Sequence, residues 1–418
     1  MGRLIATLPN TRAGDIARST LIARARRSGD FEYLGDLRGR VSADSNQQGF
    51  DEQPRSASYL ESLPLSFHLL DVHGRYPADE PGVEQALMND WKGYHSDPQA
   101  TEGERGFILN VEPAWDMQLL APPNGMPTLS MDHSAYMTQL NVAAAHAKGN
   151  YGKDSRVALI DTGCDGLSIH DFYDLVAPGS HHPGPGSQTD TVGHGTAMAT
   201  IIQAVSPSCD LTVVRVSDTT TIPLWNLLAG VVVAAIDAQA EIINLSLGMA
   251  SLGGTCSKCG ATALVRSFAL EYLLKALRRF ATSWYINAQP PTFVAATGND
   301  GNSTGFFAPA RYDVCLAVGS VNSSATKSNF STYGTYAHLN HVMAPGGEEV
   351  SKGVAKEYSA SDSVEKYYGT SVSTAYTTGL LALFRRDNPT ADLLQLATTK
   401  VVSVRPAGLC GSGQIIYS

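Results

Sequence analysis

Short, continuous apolar runs separated by helix-like stretches constrain the fold of this chain more than any other feature. The runs are rich in Val, Ile, Leu and Ala and lie at 157–160, 211–216, 242–247, 292–296 and 314–318. Two stretches with a helical pattern, 227–240 and 262–280, each precede one of these runs. A strand that is buried on both faces is apolar throughout, so the pattern predicts an α/β fold with a parallel sheet covered by helices on both faces.

Four short motifs lie where these strands end or where helices begin. They are Ile-Asp-Thr-Gly at 160–163, Gly-His-Gly-Thr at 193–196, Ala-Ala-Thr-Gly-Asn-Asp-Gly at 295–301 and Gly-Thr-Ser-Val-Ser at 369–373. Functional groups of open parallel sheets gather at the carboxyl ends of the strands. We therefore expect an aspartate, a histidine, an asparagine and a serine to meet at one edge of the sheet.

These four side chains are suited to nucleophilic catalysis. The Ser371 hydroxyl becomes a good nucleophile only when a base takes its proton, and His194 can be that base because imidazole titrates near neutrality. Asp161 would fix the imidazole tautomer and stabilise the imidazolium. The Asn299 amide, together with backbone N–H groups at the start of the serine-bearing helix, would hold the developing oxyanion.

The order Asp, His, Ser together with these motifs resembles the subtilisin-like serine peptidases. The similarity extends over about residues 133–405. It implies a subtilisin-like fold and a serine endopeptidase with catalytic residues Asp161, His194 and Ser371 and with Asn299 in the oxyanion hole. It also implies two substrate-binding segments, which comprise Ser246, Leu247, Gly248, Ala296, Thr297 and Gly298. The first segment would pair its main chain with an extended peptide.

The chain departs from the family pattern at three positions near the motifs. Ala375 and Tyr376 stand where the family has Pro and His, and Ala197 stands where the family has a second His. None of these changes removes a catalytic group. Together with extra sequence beside the expected substrate strand, they favour a selective processing protease over a broad one.

Cofactor chemistry is not required by such a triad, so no metal ligand is assigned among the catalytic residues. Calcium is a candidate because subtilisin-like proteins often carry it, with Asp154, Asp165, Asp171 and Asp174 as candidate ligands. The Cys-x-x-Cys pair formed by Cys256 and Cys259 is compatible with reduced thiols in a loop, with a local disulfide or redox pair, or with half of a metal site.

The N-terminal third lies outside the peptidase motifs. We expect a polar arm or helical region at 1–60, a prodomain-like or accessory α+β region with its linker at 61–127, and the peptidase domain at 133–418. The segment 108–113 resembles the last strand of the family's inhibitory prodomain, whose C-terminal tail lies across the cleft. That resemblance implies intramolecular inhibition and a cut within about residues 115–132. An accessory or partner-binding domain is the alternative.

Composition narrows the class of partner. The 30 Lys and Arg residues are outnumbered by 39 Asp and Glu, and a net charge of −9 argues against nucleic-acid binding. No apolar run approaches the ~20 residues of a membrane-spanning helix. Sparse cysteines and the lack of an apolar stretch near Met1 predict a cytoplasmic protein, although secretion stays open. The expected partner is a polypeptide substrate.

Two other functions are compatible with the same residues. A catalytically weak or inactive peptide-binding or regulatory protein would keep the fold without turnover, but all four catalytic positions are filled here. A hydrolase of other acyl groups, such as an esterase, could use the same triad because the chemistry recurs on unrelated substrates.

Overall fold

The computed structural model of the 418-residue chain describes the following residues: 2–10, 15, 17–19, 22, 31–42, 55–72, 110–114, 116–119, 134–176, 188–249, 267–280, 289–301, 305–334, 340–347, 368–406 and 410–418. Residues 121–127, the Pro-rich stretch expected to be the linker at the end of the region 61–127, and the Cys256–Cys259 pair lie outside these ranges.

A nine-stranded sheet forms the centre of the region expected to be the peptidase, 133–418, which is called the peptidase region below. In chain order its strands are β6 (Arg156–Asp161), β7 (Asp171–Asp174), β8 (Asp210–Arg215), β10 (Ile242–Leu245), β12 (Thr292–Ala296), β13 (Cys315–Val321), β14 (Asn340–Pro345), β15 (Val401–Val402) and β16 (Gln414–Ile415). Their spatial order is β15-β16-β14-β13-β12-β10-β6-β8-β7, and every neighbouring pair is parallel except β15 with β16. The predicted parallel sheet is confirmed.

Helices cover this sheet and the N-terminal region. In chain order the helices are α1 (Leu37–Ser42), α2 (Arg55–Ser62), α3 (Ser134–Gln139), α4 (Val142–Ala147), α5 (His194–Val205), α6 (Leu224–Val232), α7 (Phe268–Phe280), α8 (Thr370–Asp387) and α9 (Leu393–Thr399). A π-helical turn, Val233–Asp237, continues α6. The helix expected at 227–240 therefore begins earlier and ends sooner than its pattern predicts.

Two apolar cores, one on each face of the sheet, explain why the strands are apolar throughout. In β6, Val157 and Leu159 pack in the core that contains α5 and α8, whereas Ala158 and Ile160 pack in the core that contains α6 and α7. Successive side chains of a strand point to opposite faces, so a strand between two helix layers has no polar side.

The N-terminal region forms a separate four-stranded antiparallel sheet. Its strands are β1 (Gly2–Pro9), β2 (Phe31–Asp36), β3 (Leu65–Val72) and β4 (Asn110–Pro113), in the spatial order β2-β3-β1-β4. This sheet joins residues on both sides of the boundary expected at residue 60. The first strand is buried at Leu4, Ile5 and Ala6, an apolar signal that the polar composition of the first 60 residues hides. The domain boundaries themselves stay predictions.

Three short strands form a third sheet between the two regions. They are β5 (Asp116–Leu119), β9 (Thr221–Pro223) and β11 (Leu247–Gly248), and β5 lies in the middle with antiparallel neighbours on each side. Within the described residues, none of the helices has the length and apolarity that crossing a bilayer requires.

Candidate active site

Asp161 and His194 form a buried pair at the carboxyl edge of the central sheet. Asp161 is the last residue of β6, and His194 is the first residue of α5. His194 Nδ1 lies 2.8 Å from one carboxylate oxygen of Asp161 and 2.9 Å from the other. An ionised carboxylate only accepts hydrogen bonds, so Nδ1 carries the proton and Nε2 of the neutral ring is an acceptor.

The Nε2 atom of His194 is buried and has no hydrogen-bond partner among the described residues. This leaves a basic nitrogen available to take a proton from a neighbouring group. The opposite side of the ring is fixed by Asp161, so the imidazole is oriented before any substrate binds.

Ser371 lies in the first turn of α8, directly after Gly369 and Thr370, and is buried. Its Oγ donates to the carbonyl oxygen of Ser246 over 2.9 Å, and Ser246 Oγ donates back to the Ser371 carbonyl over 3.0 Å. The expected hydrogen bond from Ser371 to His194 is therefore absent among the described contacts. The Ser371 hydroxyl proton is directed at the Ser246 carbonyl.

Asn299 follows β12, and its carboxamide is fixed by the start of α8. Its Oδ1 accepts from the Thr370 backbone N–H at 2.9 Å and from the Thr370 hydroxyl at 2.8 Å. Because the oxygen is occupied by two donors, the amide nitrogen is the end that faces away from Thr370. An amide N–H held in this way beside a serine is suited to oxyanion stabilisation.

The substrate-binding residues expected on two segments lie on neighbouring elements. Leu247 and Gly248 form β11, and Ala296 is the last residue of β12, followed by Thr297 and Gly298. Gly298 has φ +118°, and a Cβ atom there would lie 2.7 Å from both Phe307 and Thr332, so only glycine fits.

The expected substrate strand β11 pairs with a segment of the chain's own N-terminal region. Leu247 is paired with Leu119, and Gly248 with Gln118, in antiparallel register. Met117 and Leu119 of this segment are buried, whereas Asp116 and Gln118 are exposed. The main-chain pairing expected for an extended peptide is thus made here by β5.

The two residues after Ser371 that depart from the family pattern, Ala375 and Tyr376, are buried residues of α8. Tyr376 is buried, and its ring packs edge-on against Tyr136 with ring centroids 5.3 Å apart. Ala375 is also buried. The described contacts of both residues therefore concern packing of α8.

Sequence reasoning overlooked three polar residues that surround these groups: Thr162, Asp190 and Thr370. Asp190 lies four residues before His194, and an acidic residue just before a helix is a recognisable capping signal. Thr162 and Thr370 stand inside the motifs, but their roles depend on which side chain they contact, which the motifs do not reveal.

The expected calcium ligands do not form a cluster. Asp154 is 3.3 Å from Arg386, and Asp174 is 2.9 Å from Arg215. In the described part of the chain, no three His, Cys, Asp or Glu side chains come together closely enough to hold a metal ion. Calcium binding stays a prediction.

Comparison with known proteins places the chain in a family. The model of the subtilase family of peptidases matches residues 152–410. The chain belongs to the subtilase family. The match spans the segment that carries the Asp161–His194 pair, Asn299 and Ser371.

Several bacterial subtilases are relatives of this protein. An alkaline protease of Shouchella clausii is 25% identical over 379 residues, which cover 88% of each chain. Subtilisin E of Bacillus subtilis strain 168 is 32% identical over 272 residues, which cover 61% of each chain. At the level of the family, the protein is a subtilisin-type hydrolase.

Solved structures of two proteases show the same fold. MycP1 with its N-terminal propeptide removed matches with a TM-score of 0.50 at 21% identity, over 68% of this chain and 95% of that one. The MycP3 protease of the type VII (ESX-3) secretion system matches with a TM-score of 0.51 at 21% identity, over 72% and 90%.

Proposed function

We propose that this subtilase is an active serine endopeptidase in which Ser371 is the nucleophile, His194 the general base and Asp161 the group that orients it. The observation that carries the proposal is the buried Asp161–His194 pair, whose two contacts of 2.8 and 2.9 Å leave Nε2 as an unpartnered basic atom. A buried acceptor without a partner lowers the stability of the fold, so its presence calls for an explanation. A base that accepts a proton from a nucleophile supplies one.

The reaction follows from these positions. Ser371 Oγ forms a bond to the peptide carbonyl carbon while its proton passes to His194 Nε2. The carbonyl oxygen becomes an oxyanion, which the Asn299 amide stabilises. The C–N bond then breaks, and His194 returns its proton to the leaving amine. A water molecule, deprotonated by His194, then forms a bond to the acyl carbon, the bond to Ser371 Oγ breaks, and His194 returns the proton to Ser371 Oγ.

Fluorophosphonate labelling tests this assignment. The full chain should be labelled at Ser371, and the Ser371→Ala variant should not be labelled. Ser373→Ala removes another buried hydroxyl from the same motif, one that donates to the Ala344 carbonyl, and is the matched control that should still be labelled. Equal labelling of Ser371→Ala would refute the assignment.

The N-terminal region is proposed to inhibit the enzyme by filling the substrate cleft. Support comes from β5, which occupies the position between β9 and β11 that an extended peptide would take. A peptide in this position would be bound through main-chain hydrogen bonds and recognised through pockets for alternate side chains. Met117 and Leu119, which are buried, would fill two such pockets.

Selective processing is proposed as the role of the activity. The occupied cleft accepts a segment with apolar side chains at alternate positions, Met117 and Leu119, and exposed polar ones between them. Cleavage profiling of a peptide library by the full chain tests this, and uniform digestion of unrelated sequences would contradict it.

A further inference from the structure

Asp190 is the acceptor for an unusual number of hydrogen bonds beside the Asp161–His194 pair. Its carboxylate has five donors: the Thr162 hydroxyl at 2.9 Å, the backbone N–H groups of Val192 at 3.1 Å, Gly193 at 2.7 Å and Thr196 at 2.8 Å, and the Thr196 hydroxyl at 2.7 Å. Four of the five come from Val192, Gly193 and Thr196, which lie within two positions of His194 at the start of α5.

Thr162 connects this carboxylate to the other member of the pair. Its hydroxyl lies 2.9 Å from the Asp190 carboxylate and 3.3 Å from the Asp161 carboxylate as acceptors, and it accepts from the Gly195 backbone N–H at 3.1 Å. Its own backbone N–H donates to the Asp161 carboxylate at 2.8 Å. One side chain thus joins the turn after β6 to the turn that begins α5.

The two turns approach each other through glycines. A Cβ atom on Gly195 would lie 2.2 Å from the Gly163 carbonyl oxygen, and a Cβ on Gly163 would lie 1.9 Å from the Thr189 carbonyl oxygen. Backbone therefore lies against backbone, and Asp190 supplies the acceptor that these closely packed amide groups need.

The charge of Asp190 suits this position. Partial burial raises the pKa of the carboxyl, but the hydrogen bonds from Thr196, Gly193 and Thr162 outweigh that effect and hold the pKa below its ordinary value. An anion at the N-terminus of a helix also interacts favourably with the helix dipole. The network is thus built for an ionised carboxylate.

We propose that Asp190 is a positioning residue for catalysis, which holds the turn at 192–196 so that the His194 ring keeps its alignment with Asp161 and Ser371. The proposal rests on the catalytic roles given above to these residues. Asp190 makes no described contact with the imidazole and acts through the backbone on each side of it. Small losses of alignment are costly in catalysis, because proton transfer requires a narrow range of distances.

Substitution at Asp190 tests this through kcat per active site. Asp190→Ala should lower kcat for a peptide substrate on the order of 10- to 100-fold, the range expected for a small misplacement. KM should be unchanged because Asp190 lies outside the cleft strands. Asp190→Asn should be intermediate, since it keeps one acceptor oxygen but presents N–H donors to Thr196. The low-field proton resonance of His194 Nδ1–H should shift or broaden in the same order.

Thr162 gives a second pair of variants in case Asp190→Ala folds poorly. Thr162→Val preserves shape and removes the hydroxyl, so kcat should fall, whereas Thr162→Ser keeps the hydroxyl and should restore it. Asp392→Ala is the matched control, since Asp392 caps α9 through the Leu394 N–H at 3.0 Å, and that helix carries none of the proposed catalytic residues. It should lower stability and leave kcat per titrated site unchanged.

The outcomes separate two failures. If Asp190→Ala and Thr162→Val keep the parent kcat and the parent proton resonance while Ser371→Ala is inactive, the positioning role is wrong and the peptidase assignment stands. If Ser371→Ala is itself active, the proposed function has failed.

Discussion

At the scale of single residues, the site combines one strong pair with one unmade contact. Asp161 and His194 are joined by two short contacts, but the Ser371 hydroxyl donates to Ser246. Hydrogen bonds of catalytic groups are often loose until substrate binds. The pair lies at the ends of two regular elements, β6 and α5, whereas the Ser371 hydroxyl is held by the Ser246 carbonyl.

Asn299→Ala should lower kcat about 10²- to 10³-fold, the loss typical of removing one oxyanion donor, a magnitude that comes from subtilisin itself. The variant also leaves the Thr370 N–H without its acceptor, so unfolding should be measured beside kcat. Asn340→Ala is the control. Asn340 is the first residue of β14 and its amide donates to the Asp313 carbonyl, so the variant removes an asparagine that has no proposed role in catalysis. An unchanged kcat in Asn299→Ala would show that another donor serves the oxyanion.

At the scale of elements, the N-terminal region is bound to the peptidase region by a strand and by exchanged helix caps. β5 completes the small sheet in the cleft, and Glu112 of β4 caps α7. In return, Asp237 accepts from the Ser56 N–H at the start of α2 over 2.9 Å. Each region therefore satisfies backbone donors of the other.

Met117→Asp should raise peptidase activity if β5 blocks the cleft. The side chain is fully buried, and an unpaired buried carboxylate should oppose strand docking by more than about 1.4 kcal/mol, which corresponds to at least a tenfold rise in the initial rate of peptide hydrolysis. Gln118→Asp places the same charge on the exposed face of the strand and should leave the rate near that of the parent. Equal rates for all three proteins would contradict inhibition by β5.

Glu112→Ala should loosen the attachment of the N-terminal region. Glu112 accepts from the Ser267 hydroxyl at 2.7 Å and from the backbone N–H groups of Phe268 and Ala269 at 2.6 and 3.2 Å. Removing the acceptor should cost about 1–3 kcal/mol of unfolding free energy.

Thermal unfolding of the full chain measures the loss of unfolding free energy. Limited proteolysis of the full chain, followed by mapping of the cuts within residues 1–119, measures how firmly the N-terminal region is attached. Glu271→Ala is the control, since Glu271 pairs with the more exposed Lys275 one helical turn along α7. That surface pair should contribute at most a few tenths of a kcal/mol. If the two variants lose equal stability, the cap contributes nothing of its own.

At the scale of the whole molecule, each region buries a histidine, and no described residue places a carboxylate within hydrogen-bonding distance of either ring. His68 lies in the N-terminal sheet between the Tyr33 and Ser66 hydroxyls, and His341 lies in β14 against Phe306. Burial lowers the pKa of each to about 4. In the unfolded chain both rings should titrate near 6.5.

Acidification should therefore destabilise both regions. Below pH 6.5 the two histidines bind protons in the unfolded chain but stay neutral in the folded protein. Unfolding therefore becomes more favourable as the pH falls, until the folded rings titrate near pH 4. Each histidine should account for a loss on the order of 3 kcal/mol across that window. Unfolding of the full chain at several pH values measures it.

His68→Asn should flatten this dependence for the N-terminal region, because the replacement does not titrate. His170→Gln removes an exposed histidine and should leave the slope unchanged. Identical slopes in the parent and His68→Asn would show that His68 takes up its proton without unfolding.

The sequence by itself determined the central sheet and the identity of the expected catalytic groups. Strands such as β12 coincide with their apolar runs because burial on both faces leaves a local pattern. Asp161 and His194 stand at the end of β6 and at the start of α5, so the limits of the same local patterns located them.

Only the tertiary structure decided which distant segments meet. The Asp190–Thr162 contact, the Glu112 cap and the placement of β5 each join residues that no short motif contains together. Their side chains and backbone groups find partners only after both regions have packed, so no periodicity or spacing records the pairing. Local patterns specify elements, and the hydrogen bonds between elements depend on the three-dimensional fold.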